Sequence, residues 1–246
     1  MTSWPLWQII NVNYGIVMKE FNISKNIKAE EILKKVFENF SDEEIALSSS
    51  LSYEDQVLTD MLYKLRIHFR VFMIDTGRHF QETYDVMQKT IEKYNIQYET
   101  VFPNAEDVEN LLKEKGPNSF YESVENRKHC CYIRKVKPAQ RIFTTLDAMI
   151  TGLRREQSNL RNNLEAIEYD ENTKIYKINP LYNWTSQMVI DYIKTNKVPY
   201  NILHDKGYFS IGCMPCTTPV KEGEDIRAGR WRWENATHKE CGLHIK

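Results

Sequence analysis

The 246-residue sequence is poor in residues that break or loosen a chain: it has nine glycines and eight prolines, and no Pro/Ser-rich linker. With 41% hydrophobic, 12% aromatic and 27% charged residues, disordered, collagen-like and low-complexity classes are excluded. No segment has the apolarity of a membrane span. The longest uncharged run, Met1 to Met18, contains Gln8, Asn11, Asn13 and Tyr14 and lacks the basic start of a signal peptide. A soluble, cytosolic (cytoplasmic) protein is the expectation. Net charge is also nearly absent: 33 Lys and Arg against 34 Asp and Glu leave −1, which argues against a dedicated nucleic-acid coat. The glycines form neither GxGxxG nor GxxxxGK[ST], so the dinucleotide fingerprint and the Walker loop are missing.

What is present is an odd set of five cysteines, Cys130, Cys131, Cys213, Cys216 and Cys241. An odd count without a secretion signal speaks against a disulfide scaffold. Four form two close pairs, one adjacent and one CxxC, with 81 residues between them, and Cys241 stands alone near the C-terminus. The natural division is a four-thiolate metal site and one free thiol. Contiguous cysteines fit a zinc knuckle poorly, since zinc ribbons space their ligands by two to four residues. An iron–sulfur cube accepts thiolates from two segments. The alternative is that Cys130 and Cys131 are ordinary buried apolar residues. It weakens because both pairs have polar neighbours: Arg127, Lys128 and His129 before one, Thr217 and Thr218 after the other.

Along the chain, Ile32, Leu33, Val36, Phe37 and Phe40 share one face of a helix over residues 29–40. Ile45-Ala46-Leu47 ends in Ser48-Ser49-Ser50, and a helix follows with Val57, Leu58, Met61, Leu62 and Leu65. Val71–Ile74 reads as a buried strand ending at Asp75-Thr76-Gly77. The next helix carries Phe80, Tyr84, Met87, Ile91 and Tyr94 at helical intervals, and residues 96–102 form a strand. Further elements are a helix over 108–115, strands over 148–150 and 175–178, and a capped helix over 185–195 with Met188, Val189, Tyr192 and Ile193 inward. Alternating strands and helices with continuous apolar strands indicate an α/β protein: a parallel sheet with helices on both faces and a C-terminal metal-bearing extension. Residues 1–18 read as an N-terminal extension and 19–246 as a single domain.

In such sheets ligands bind beyond the carboxyl ends of the strands. Three such ends are notable: Ser48-Ser49-Ser50, Asp75-Thr76-Gly77-Arg78 and Thr151-Gly152-Leu153-Arg154-Arg155. Residues 126–161 hold nine Lys and Arg against Asp147 and Glu156, a net +7 around the first cysteine pair. Such a basic middle suits a small polyanion, and the Arg154-Arg155 forks match phosphate or sulfate oxygens.

Together these stretches resemble the assimilatory adenylyl-sulfate (APS) and phosphoadenylyl-sulfate (PAPS) reductases, specifically their iron–sulfur branch. The resemblance is carried by Asp75-Thr76-Gly77-Arg78, by the run from Cys130 to Val136, and by the run from Thr151 to Ser158. It continues through Val198-Pro199-Tyr200-Asn201, Leu203-His204-Asp205 and Ser210 to Cys216. It closes with Arg227-Ala228-Gly229-Arg230-Trp231 and the tail Lys239-Glu240-Cys241-Gly242-Leu243-His244. It implies an adenine-nucleotide α-hydrolase-like fold of the PP-loop type, with an iron–sulfur and catalytic-tail extension mobile from about residue 221. It implies a [4Fe-4S] cluster on Cys130, Cys131, Cys213 and Cys216, and Cys241 as nucleophile. Lys135 corresponds to a residue between cluster and substrate, and Arg161, Arg227, Arg230 and His244 to contacts with the phosphosulfate. Thr76, Gly77 and Gly152 match the nucleotide pocket, with Ser48, Ser49 and Ser50 as phosphate-loop candidates. One departure is Ser49-Ser50-Leu51-Ser52-Tyr53-Glu54-Asp55, where the family usually reads Ser-x-Ser-Gly-Ala-Glu-Asp.

The implied reaction is thioredoxin-dependent reduction of APS to sulfite and AMP through an enzyme S-sulfocysteine, in sulfate assimilation and cysteine biosynthesis. The alternatives are PAPS as substrate or, from another class, a four-cysteine zinc module that binds nucleic acid. The implied partners are APS or PAPS and a thioredoxin-like dithiol protein, with self-association left open and neither membrane nor nucleic acid expected.

Overall fold

The computed structural model describes Lys19, Phe21, Ile23, Ser24 and residues 27–234. The expected extension over 1–18, the expected nucleophile Cys241 and the expected substrate contact His244 therefore lie outside the described residues. Six strands form one sheet in the order β3-β2-β1-β4-β6-β5. They are β1 (Ile45–Ser48), β2 (Arg70–Ile74), β3 (Tyr98–Val101), β4 (Ala148–Ile150), β5 (Ile167–Asp170) and β6 (Ile175–Ile178). All neighbours pair in parallel except β5, which runs antiparallel to β6 at one edge. The helices are α1 (Ala29–Phe37), α2 (Tyr53–Lys64), α3 (Gln81–Tyr94), α4 (Ala105–Lys115), α5 (Val124–Cys131), α6 (Lys137–Phe143) and α7 (Ser186–Thr195).

The alternation of strand side chains divides the core. Ile45, Leu47, Val71, Ala148, Ile150 and Ile178 pack with α1, α2 and α7, whereas Ala46, Phe72, Ile74, Met149 and Ile175 pack on α6. Both faces are thus covered, one more heavily. Among the described residues no helix is long and apolar enough to cross a membrane.

Three details differ from the sequence reading. The inward face of α3 is Thr83, Val86, Thr90 and Tyr94, so the stripe is rotated by one residue, with Tyr84, Met87 and Ile91 only half-buried. The rotation is held by hydrogen bonds: Gln56 Nε2 donates to Thr90 Oγ1 at 2.6 Å, and Tyr84 Oη donates to the Asp75 carboxylate. On α7, Val189 and Ile193 are buried but Met188 is exposed. Finally, α5 carries the cysteine pair at its end and passes into α6 through one wider π turn, Tyr132–Val136.

Candidate functional site

A cavity of about 390 Å³ lies beyond the carboxyl ends of β1, β2 and β4. Its wall takes Ser48 from the end of β1 and Ser49 and Ser50 from the loop after it, Thr76 and Arg78 from the loop after β2, and Thr151 and Gly152 from that after β4. Lys135 and Arg161 also line it, as do Arg227, Arg230 and all four of Cys130, Cys131, Cys213 and Cys216. Gly77 does not line the cavity: it sits at the turn after Asp75, with φ +71° and its N–H donating to Asp75 Oδ1. Its positive φ shapes the turn that carries Thr76 and Arg78 to the wall.

The loop after β1 is organised by a carboxylate. Asp55 Oδ2 accepts from the Ser50 N–H at 2.6 Å, from Ser50 Oγ at 2.8 Å and from Ser52 Oγ at 3.1 Å. Ser49 Oγ accepts from the N–H of Leu51, which has φ +61° and is buried. The Ser50 and Ser52 hydroxyl protons are thus turned inward and their lone pairs are left for a ligand. That suits donors, such as ribose hydroxyls, better than phosphate oxygens. Burial raises the Asp55 carboxyl to about 6 against the hydrogen bonds that lower it. Gly152 is needed for close approach: a Cβ there would stand 2.6 Å from Asp55 Oδ1 and from Glu54 Cβ.

Arg154, expected to meet an anion, is otherwise engaged. It is buried and ion-paired with Glu54 at 2.8 Å and with Glu156 at 3.0 Å. Arg155 donates to the Leu164 carbonyl and stacks on Tyr182, away from the strand ends. Besides Arg154, the cationic wall takes Arg78, Arg127, Arg134, Lys135, Arg161, Arg227 and Arg230. Arg134, which the sequence reading did not single out, is buried and donates to the Thr76 carbonyl at 2.8 Å. Tyr53 and His204 are two further wall residues, stacked with ring centroids 3.8 Å apart. His204 Nδ1 meets the Tyr208 carbonyl, and burial lowers the pKa of the ring. Nothing in their local spacing announces the pair, because 150 intervening positions separate stacking partners that meet only in the fold.

The four thiols share one place. Cys130 and Cys131 at the end of α5 and Cys213 and Cys216 on the CxxC turn pack with Phe120, Trp231 and Trp233. Burial pushes the Cys216 thiol up to about 12, with Cys213, Cys131 and Cys130 adding to the rise. Burial likewise raises Cys130. Thr76 Oγ1 lies 3.2 Å from Cys213 Sγ, tying the thiol wall to the end of β2. Among the described residues no group of three or more His, Cys, Asp or Glu is arranged to hold a metal ion. The donor set nevertheless fits a thiolate-bound cluster: four sulfurs from two segments, gathered where uncompensated thiolates would be costly.

Of the segment expected to be mobile from about residue 221, residues 221–234 are described, and several of them bond to the thiol flank. Thr218 N–H donates to the Gly229 carbonyl, Trp231 N–H donates to the Cys216 carbonyl, and Glu234 is buried.

This combination defines an α/β protein with a cationic cavity at its strand ends and a thiol quartet beside it. Residues 44–219 match the phosphoadenosine phosphosulfate reductase domain, and the chain belongs to that family. It is 41% identical to the adenosine 5'-phosphosulfate reductase of Neisseria meningitidis serogroup B over 240 residues, 97% of this chain and 96% of that protein. It is 45% identical to the protein of that name from Burkholderia cepacia over 203 residues, 82% of this chain and 81% of that one. The crystal structure of phosphoadenylyl-sulfate reductase from Candida auris, a phosphate complex, superposes with a TM-score of 0.67 at 32% identity, covering 79% of this chain and 91% of that one. Candida glabrata FMN adenylyltransferase shares the fold at 16% identity, with a TM-score of 0.56 over 80% of this chain and 65% of that one. The fold is therefore the PP-loop-like adenine-nucleotide α-hydrolase fold, and the alternative of a zinc nucleic-acid module is set aside.

Proposed function

We propose that this protein reduces adenylyl sulfate to sulfite and AMP, with reduced thioredoxin or a similar dithiol protein as electron donor. The observation that carries the reading is the meeting of Lys135, Arg161, Arg227 and Arg230 with the four thiols on one cavity at the strand ends. The arginine forks match the oxygens of a phosphosulfate and shield its charge as a nucleophile approaches. The loop held by Asp55 offers lone pairs, beside the buried carboxylates of Glu54 and Asp55, which favours a free ribose hydroxyl over an added phosphate. This supports APS over PAPS.

Cys241 is the proposed nucleophile. It follows Glu234 by seven residues, a reach of at most about 25 Å for extended chain, and Glu234 bonds Arg127 on the cavity wall. Its thiolate forms a bond to the sulfate sulfur, the bond from that sulfur to the bridging oxygen breaks, and AMP leaves with the electron pair. The product on the enzyme is S-sulfocysteine, the covalent route that splits one hard step into two. A thiolate of the dithiol partner then attacks Cys241 Sγ and expels sulfite. The partner's second thiol closes its own disulfide and returns Cys241 as thiolate. Lys239 and His244, near in sequence, add positive field that favours the thiolate. When bound to Cys130, Cys131, Cys213 and Cys216, a [4Fe-4S] cluster supplies a cross-link between two segments and an electrostatic boundary to the cavity.

The test is anaerobic sulfite release from APS and from PAPS with reduced thioredoxin, for wild type and Cys241→Ser. The variant is expected to keep its iron and lose turnover, and wild type to gain an SO₃ mass on the peptide containing Cys241. Full activity in Cys241→Ser would falsify the mechanism, and a faster reaction with PAPS would reverse the substrate assignment.

A further inference from the structure

Arg127 lies on the cavity wall, yet its guanidinium is turned to the protein. Nε donates to Glu234 Oε1 at 2.8 Å and Nη2 to Glu234 Oε2 at 3.0 Å, and the two side chains are 3% and 2% exposed. The same guanidinium rests on the Trp231 ring, 4.4 Å from the centroid, and the Arg230 guanidinium rests on that ring at 4.5 Å. On its other flank Arg230 lies against Gly212: a Cβ there would come within 2.4 Å of Arg230 Nη2 and 2.6 Å of Cζ. Trp231 is 1% exposed, has φ +44° and is bonded through its N–H to the Cys216 carbonyl. A bulky residue in the left-handed region persists only where its surroundings over-determine it.

We propose that Arg127 is a positioning residue for Arg230: with Glu234 it fixes the Trp231 ring, and that ring with Gly212 fixes the guanidinium that receives the anionic end of the nucleotide. The proposal rests on the assignment of Arg230 to the substrate made above. The physical case is that an Arg side chain is rich in rotamers, and a guanidinium held in a slot has already lost that freedom before the ligand arrives. Arg127 suits the task because a planar fork can satisfy a carboxylate bidentately and still lie flat on an indole; a lysine ammonium, a point charge, offers no such fork and no flat face.

The experiment is a double-mutant cycle on KM for APS, using Arg127→Lys, Arg230→Ala and the pair, with iron content measured on each. Arg127→Lys is expected to raise KM about tenfold with iron retained, and to add less than about twofold in the Arg230→Ala background, the non-additivity of residues that act through one another. A purely structural role would give the same factor in both backgrounds, and that result, or a wild-type KM for Arg127→Lys, overturns the proposal. If Arg230→Ala alone leaves KM unchanged, the substrate role of Arg230 falls first. Should Arg127→Lys fail to fold, Glu234→Gln keeps the shape and removes one charge. The same cycle with Arg230→Ala then decides: non-additive supports, multiplicative overturns.

Discussion

The sheet and its cysteine-bearing flank are built on different terms. The core behind the sheet draws apolar side chains from β1, β2, β4 and β6 and from α1, α2 and α7, so many small contributions add and no single one governs. Among the described residues the flank has a buried apolar nucleus of Phe120, Cys216 and Trp231. Its order comes from directed contacts: Arg127 with Glu234, Arg134 with the Thr76 carbonyl, and the backbone bonds joining residues 216–218 to 229–231. Damage to the first region should therefore cost stability before function, and damage to the second should cost function before stability.

The largest expected break in this contrast is loss of a cysteine ligand. Cys213→Ser should lose its iron, sulfite release should stop, and hydrogen exchange should accelerate at the amides of Thr218 and Trp231 while β1, β2 and β4 stay protected. Equal acceleration in both regions would erase the distinction. Next in size, Leu47→Ala, in the middle of the sheet, should lower unfolding stability in urea by about 2–5 kcal/mol with KM for APS unchanged. A raised KM in that variant would show that the core also tunes the site. The smallest effect concerns Asp55, at the border between the regions. Its folded pKa of about 6 lies above the ordinary aspartate value of 3.8. Between those pH values the folded state holds a proton that the unfolded state has released, so stability falls as pH rises through this window. The slope is at most about 1.4 kcal/mol per pH unit and should flatten in Asp55→Asn.

The same contrast explains what could be read from the sequence. Strands such as Val71–Ile74 and helices such as α1 announce themselves because their burial is apolar and periodic. Strand β5, Ile167–Asp170, was missed because its edge position leaves a mixed, half-exposed pattern of Ile, Glu, Tyr and Asp. Helix α5 was missed because Val-Glu-Asn-Arg-Lys-His-Cys-Cys buries a guanidinium where an apolar stripe would be sought. Of the site, the two cysteine pairs and the arginines of the 227–231 segment were legible as motifs, and the structure brings Cys130, Cys131, Cys213, Cys216, Arg227 and Arg230 to one cavity. Arg154 was misjudged because its partner Glu54 lies 100 positions upstream, and no local pattern reveals a distant ion pair. The role of Asp55 in turning the serine hydroxyls inward was equally hidden, since composition shows a serine-rich loop but not which way its protons point.

The π turn at Tyr132–Val136 has a consequence for how this protein can change. Neighbouring residues on a regular helix diverge by about 100°, and removing one residue rotates everything before it by that angle relative to everything after it. The adjacent cysteines end just before this wider turn, while Arg134 and Lys135 lie within it, and all four reach the same cavity. Shortening the turn by Tyr132 would regularise the helix and swing the sulfurs out of phase with the guanidinium and the ammonium. The looser coil is thus a phase adjuster, and length there is under tighter constraint than side-chain identity.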